Sequence, residues 1–358
     1  MKRGLLICLL CALLLPSLAF SEGDGGETVF RLLDENGASV TFYAGTPDPG
    51  DEYISSENKH YRVEKVDPES KTATVKLLGD YALPDVSFLN ELAKPVSASG
   101  SKKAVAMYCT HSDESYTPTD GKSSLDKRGG IYDVAESFKK ALEKEGVTVY
   151  YSDENHYPHD AGAYRRSRAT AATLAEKGVD ALMDIHRDGI PDAGEYEKTL
   201  NGRDVTKVRL LVGRSNQNAE ANKAFASRIK AVGDQTYPGL IKDIYIGKGT
   251  YNQDLMGQSV LLEFGTYTNE KDAVMNSTEY MADVMNKTLY GSVKGAAEGK
   301  QQESVGAWKG IGWLLAALVA GALIFGFAAT GTGKGAIQKW KRTFQEMTGG
   351  LTGGRKDK

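Results

Sequence analysis

At 358 residues the chain has room for one sizeable domain and a smaller companion, and an apolar fraction of 41% is ordinary for a globular protein. A formal charge of −3, with no basic stripe interleaved with aromatics outside the C-terminal tail, excludes a nucleic-acid partner. Cys8 and Cys11 lie in an N-terminal apolar segment, leaving Cys109 alone in the rest of the chain and excluding an intramolecular disulfide there.

Residues 1–20 read as a secretory signal: Lys2 and Arg3 form the charged start, Leu5 to Leu15 the apolar stretch and Ser17-Leu18-Ala19 a small-x-small cleavage site. Pro16 and Phe20 depart from an ideal site, so an uncleaved anchor is the competing reading. Residues 24–80 alternate as short strands, Thr28 to Leu33, Ser39 to Tyr43, His60 to Val66 and Ala73 to Leu78, broken by turns at Asn36-Gly37 and Pro47-Asp-Pro-Gly-Asp51. This predicts a small antiparallel β-unit serving as spacer or binding module. A linker follows over 81–102, ending in Pro95-Val-Ser-Ala-Ser-Gly-Ser101.

From 103 to 291 strands alternate with helices. Expected strands are Ala104 to Cys109, Val147 to Tyr151, Val179 to Ile185, Val208 to Val212, Leu240 to Ile246 and Ser259 to Phe264. Expected helices are Tyr132 to Lys144, Gly162 to Glu176, Asn218 to Val232 and Lys271 to Tyr290. The pattern predicts an α/β sheet flanked by helices, with ligands gathering beyond the carboxyl ends of its strands. A flexible tether over 292–309 leads to an apolar run over 310–330, edged by Trp308, Trp313 and Trp340, and to a basic tail over 331–358. Length, flanking tryptophans and the positive-inside rule predict one transmembrane helix in the cytoplasmic membrane, with the α/β domain on its outer face.

The chemistry is carried by His111, Glu114, His186 and Glu263, each expected just past a strand end or at its edge. Two imidazoles and a carboxylate are the three protein ligands of a hydrolytic zinc site, and a further glutamate outside that set moves the proton. Glu263 stands inside the apolar run Leu261-Leu-Glu-Phe264, and burial raises a carboxyl into the range useful for acid-base work. His156 competes with Glu114 as third ligand, in which case Glu114 orients an imidazole instead. His159 reads as solvated or bound to Asp160. Arg187 is a candidate clamp for a substrate carboxylate or a tie between loops, and the amides of Asn252 and Gln253 are candidates to recognise peptide or sugar groups.

Cys109-Thr-His111-Ser-Asp-Glu114-Ser-Tyr116, Gly162-Ala-Tyr-Arg-Arg-Ser167, Asp184-Ile-His186-Arg-Asp188, Tyr251-Asn-Gln-Asp254 and Leu261-Leu-Glu263-Phe-Gly265 occur in order. Over about residues 103–290 this series resembles the stage II sporulation protein P family, relatives of the zinc-dependent N-acetylmuramoyl-L-alanine amidases. The resemblance implies zinc, held by His111, Glu114 and His186 with Glu263 catalytic, and cleavage of peptidoglycan between N-acetylmuramic acid and L-alanine, with endopeptidase activity as an addition. It also implies septal-wall thinning and engulfment during sporulation beside stage II sporulation proteins D and M. The family usually reads His-Thr-His where this chain has Cys109-Thr-His111, and many relatives carry their anchor at the amino end. The alternatives are a non-catalytic wall-binding scaffold and a peptidase using Cys109 or Ser112 as nucleophile, which chelator sensitivity separates from a zinc enzyme.

Overall fold

The computed structural model describes residues 28–90 and 103–291. Strands β1 (Val29–Leu33), β2 (Ser39–Ala44), β3 (Glu52–Ile54), β4 (Lys59–Asp67) and β5 (Thr72–Asp80) form the N-terminal β-unit. The α/β part follows as β6 (Ala104–Tyr108), α1 (Thr117–Asp120), α2 (Ile131–Lys144), β7 (Thr148–Tyr151), α3 (Ala163–Ala175) and β8 (Ala181–Asp188). It continues through β9 (Glu197–Leu200), β10 (Arg203–Thr206), β11 (Val208–Gly213), α4 (Ala219–Thr236), β12 (Ile241–Gly247), β13 (Ser259–Thr266) and α5 (Lys271–Tyr290). The signal, tether, apolar run and basic tail expected from sequence, and most of the linker, fall outside the described residues.

Eleven strands share one sheet, in the order β2-β1-β5-β4-β3-β12-β11-β13-β8-β6-β7, while β9 and β10 pair separately. The sheet is mixed: β6–β7, β6–β8, β8–β13 and β11–β12 are parallel, whereas β11–β13 and β12–β3 are antiparallel. The β-unit therefore extends the α/β sheet through β3 and β12, with Tyr53 opposite Tyr245. The strand β3 escapes periodicity because only three residues separate its turns.

Helix α2 shows why the sequence folds this way. Ile131, Val134, Ala135, Phe138 and Leu142 recur at the spacing of one helical face and are buried, and Gly146 turns the chain out of the helix at φ 78°, where a side chain would be strained. That face packs with α4 and α5 on the odd-numbered residues of β6 and β8 (Val105, Met107, Ala181, Met183, Ile185) and on the even-numbered residues of β11 and β13 (Val208, Leu210, Val212, Val260, Leu262). Alternation sends the neighbouring residues to the opposite face. There Ala104, Ala106, Tyr108 and Leu182 pack on Ala171 and Leu174 of α3, and Tyr245 joins the core of the β-unit, stacked on Tyr43 at 4.0 Å between centroids. On that second face β8, β11, β12 and β13 carry His186, Asp188, Arg209, Asp243 and Glu263, so one side of the sheet is oil and the other holds charge.

The expectation of a single-pass protein of the cytoplasmic membrane is corrected: among the described residues no helix is long and apolar enough to cross a membrane. The apolar run over 310–330 that prompted it lies outside the described residues.

Candidate metal centre

Chain reversal after β6 builds the first half of the site. The loop from Cys109 to Tyr116 is fixed by its backbone: Gly129 N–H donates to the Ser112 carbonyl at 2.8 Å, Leu125 N–H to Asp113 at 2.8 Å and Ile131 N–H to Glu114 at 3.0 Å. A Cβ on Gly129 would lie 2.1 Å from the Glu114 carbonyl oxygen, so glycine is required for this approach. His111 and Glu114 thereby point inward together, and β8 brings His186 to them.

Glu114 Oε1 lies 3.0 Å from His111 Nδ1 and 3.2 Å from His186 Nδ1, while Oε2 accepts the Arg187 backbone N–H at 3.0 Å. The ligand atoms of His111, Glu114 and His186 all fall within 4.8 Å of one another, and all three residues are buried. Burial alone pushes the Glu114 carboxyl up, but the charge of His186 and hydrogen bonds from both imidazoles outweigh it and hold it well below the usual carboxylate range. Burial pushes the His186 imidazole down, and Asp184 and Glu114 reverse this to raise it well above its ordinary value. Asp184 Oδ1 stands 3.0 Å from His186 Nε2, close enough for an ion pair but not aligned as a hydrogen bond. Asp184 is itself fixed by the Thr110 N–H at 2.9 Å and the Thr110 hydroxyl at 2.6 Å.

This donor set fits a zinc ion: two imidazoles and one carboxylate converge in a buried site, and a second carboxylate stands at the far nitrogen of one imidazole, where such ligands are oriented. His156 does not join it. Its Nδ1 meets the Cys109 carbonyl at 2.8 Å and its Nε2 the Thr170 hydroxyl at 2.9 Å, so both ring nitrogens are engaged. Cys109 belongs to the opposite, apolar face, where burial pushes its thiol well up, which leaves neither a ligand nor a nucleophile.

Glu263 pairs with His186 across β13 and β8. Both lie within their strands rather than beyond them. Burial, then the charge of Asp188, raises the Glu263 carboxyl well above its ordinary value, against the pull of Arg209 and His186. Arg187 ties loops, its Nη2 donating to the Ser123 carbonyl at 3.1 Å and its Nη1 to its neighbour Asp188 at 3.3 Å. Asn252 and Gln253, the candidates for recognition of peptide or sugar groups, direct their amides inward. Gln253 donates to the Leu211 carbonyl at 2.9 Å and accepts the Gly213 N–H at 2.8 Å, and Asn252 donates to the Tyr164 carbonyl at 3.1 Å and the Ser167 hydroxyl at 3.0 Å. Both are buried, and their amides brace the scaffold. His159 is not solvated beside Asp160 as expected: it stacks on His111 at 3.7 Å between centroids, and its Nδ1 lies 3.3 Å from Asp113 Oδ1.

A profile of stage II sporulation protein P matches residues 42–286. The chain belongs to the stage II sporulation protein P family. The match to the family begins inside β2, farther toward the amino end than the motifs that carry the resemblance. Stage II sporulation protein P of Bacillus subtilis (strain 168) is 29% identical over 229 residues, 58% of this chain and 57% of that protein, so the match spans little more than half of the relative. Among solved structures, the CwlD amidase from Clostridioides difficile in complex with the GerS lipoprotein aligns at 13% identity and a TM-score of 0.36, over 53% of this chain and 96% of that one. The catalytic domain of CwlV, an N-acetylmuramoyl-L-alanine amidase from Bacillus (Paenibacillus) polymyxa, aligns at 15% identity and a TM-score of 0.35, over 52% and 98%.

Proposed function

We propose that this chain hydrolyses peptidoglycan at the amide between N-acetylmuramic acid and L-alanine, with His111, Glu114 and His186 as zinc ligands and Glu263 as the proton-transfer group. The observation that carries the reading is the buried convergence of two imidazoles on one carboxylate, with a second carboxyl facing it from the neighbouring strand. A bound zinc supplies Lewis acidity, which polarises the amide carbonyl and acidifies water. Glu114 keeps both imidazoles facing one point, and Asp184 holds the His186 ring from behind. Glu263 takes a proton from the attacking water and delivers it to the departing amine nitrogen, so the same carboxyl serves as base and then as acid. Family membership supports extending the reading to septal-wall thinning during sporulation, beside stage II sporulation proteins D and M, with endopeptidase action on cross-links as a second activity of the same site.

The test is metal analysis of the purified full chain together with release of stem peptides from isolated peptidoglycan. We expect about one zinc per chain, as a single set of three protein ligands with an open fourth position would hold, and chelator-sensitive appearance of free L-alanine amino ends. Glu263→Gln should retain zinc and lose about 100-fold or more of the hydrolysis, while His186→Ala should lose both. A metal-free chain that binds wall without releasing peptides would favour the scaffold reading.

A further inference from the structure

The Glu263 carboxylate has neighbours that the zinc-site residues do not explain. Its Oε2 lies 3.3 Å from the Tyr196 hydroxyl, and the same hydroxyl donates to Asp188 Oδ2 at 2.6 Å. Asp188 Oδ2 also accepts from Arg209 Nη1 at 2.9 Å, and that nitrogen stands 3.9 Å from Glu263. Arg209, fully buried, completes its fork on Asp243 through Nε at 2.7 Å and Nη2 at 3.0 Å. Its Nη2 then reaches the β-unit, at the Thr41 hydroxyl (3.2 Å) and the Phe42 carbonyl (3.0 Å).

A phenol has one hydrogen and must choose between its two carboxylates. Bonded to Asp188, it turns a lone pair to Glu263; rotated about its C–O bond, it donates to Glu263. The Tyr196 oxygen can therefore stay on the same carboxylate oxygen whether Glu263 is giving or holding a proton. The fold does not need this contact, because Arg209 remains satisfied by Asp243, Asp188 and Phe42 without it. We propose that Tyr196 is a positioning residue for Glu263, held in place by Asp188 and Arg209, and that Thr41 of the β-unit is the far end of this relay. The proposal rests on reading Glu263 as the proton-transfer group.

Full-length Tyr196→Phe, Thr41→Val and Glu263→Gln proteins, assayed on a soluble muropeptide with an intact N-acetylmuramoyl-L-alanine amide, test it. Tyr196→Phe should lower kcat about tenfold or more, a fraction of what general acid-base catalysis supplies, with KM within about twofold and zinc content as in the wild type, while Tm falls because the buried Asp188 carboxylate loses a hydrogen bond. Thr41→Val should act in the same direction and less. In zinc-free protein, the infrared carboxyl band assigned to Glu263 by its absence from Glu263→Gln should move in Tyr196→Phe, because a hydrogen-bond partner has gone. A purely structural tyrosine would lower Tm and leave kcat and the band in place. An inactive Glu263→Gln beside a Tyr196→Phe with wild-type kcat overturns the positioning role alone, and a raised KM at constant kcat does the same. An unaffected Thr41→Val removes the β-unit from the relay. An active Glu263→Gln overturns the function reading and this inference together.

Discussion

Glu114 divides its two oxygens between two imidazoles on one side and a backbone N–H on the other, so its orientation is set by strand β8 as much as by its own loop. His-x-x-Glu in the sequence identifies the pair, but not that the backbone of Arg187 completes it. The residues farther from the centre were less legible. Asn252 and Gln253 offer amides that a sequence cannot distinguish from recognition groups, because the same side chain serves a substrate or a buried backbone equally well. Here the backbone receives them, at Leu211 and Gly213 for Gln253. Gln253→Ala should leave a buried N–H and a buried C=O without partners and destabilise the protein by about 2–4 kcal/mol, at roughly 1–3 kcal/mol per orphaned group with partial relaxation. Urea denaturation measures the loss; KM for muropeptides should stay at the wild-type value. A raised KM with unchanged stability would restore the recognition role.

Elements were legible where a period ran long enough. The faces of α2 and α5, the fully buried strands β6, β8, β11 and β12, and β13, buried at all but Glu263, follow from apolar runs bounded by turn residues. The short strand β3 and the charged hairpin of β9 and β10 carry too few apolar residues to show a period. The end of β8 was set too early because His186, Arg187 and Asp188 look like the start of a loop, while β13 runs two residues past the Phe264 expected for it. All are strand residues, and the side chains of His186 and Asp188, with Glu263 of β13, supply the polar face. The loop between β6 and α2 depends on the close approach at Gly129, where an added Cβ would also come within 2.5 Å of the Asp113 carbonyl carbon. Gly129→Ala must therefore shift the backbone that aims His111 and Glu114. Zinc affinity should fall about 10- to 100-fold, the range seen when groups that orient ligands are lost, while far-UV circular dichroism is unchanged. Competition with a chromophoric chelator reads the affinity, and an unchanged Kd would show that the loop absorbs the methyl group without moving the ligands.

At the scale of the whole molecule, the two faces of one sheet have separate tasks. The face under α2, α4 and α5 supplies burial, and the other carries a run of charges from His186 across Glu263 and Arg209 to Asp243, closed at one side by α3 and at the other by the β-unit. That the β-unit belongs to this arrangement was not legible, because a lone arginine in Val208-Arg-Leu-Leu-Val212 shows no partner in sequence. Burial by itself pushes the Asp243 carboxyl up, but Arg209 and Lys242, through charge and hydrogen bonds, outweigh it and bring the carboxyl from 3.8 to about 2. A lowered native value means that the unfolded chain binds the proton first. The stabilisation is then complete above about pH 4, drains as pH falls through about 2, and amounts to roughly 2 kcal/mol at 1.36 kcal/mol per pKa unit. Asp243→Asn removes the charge while keeping the shape, so at pH 7 it should destabilise by about 3–5 kcal/mol, as breaking a buried ion pair from one side does. Denaturant titrations of both proteins across the acid range should show their difference shrinking between about pH 4 and pH 2, where the wild-type aspartate itself becomes neutral. A difference that stays constant through that window would mean that the pairing of Asp243 with Arg209 contributes nothing to holding the β-unit against the charged face.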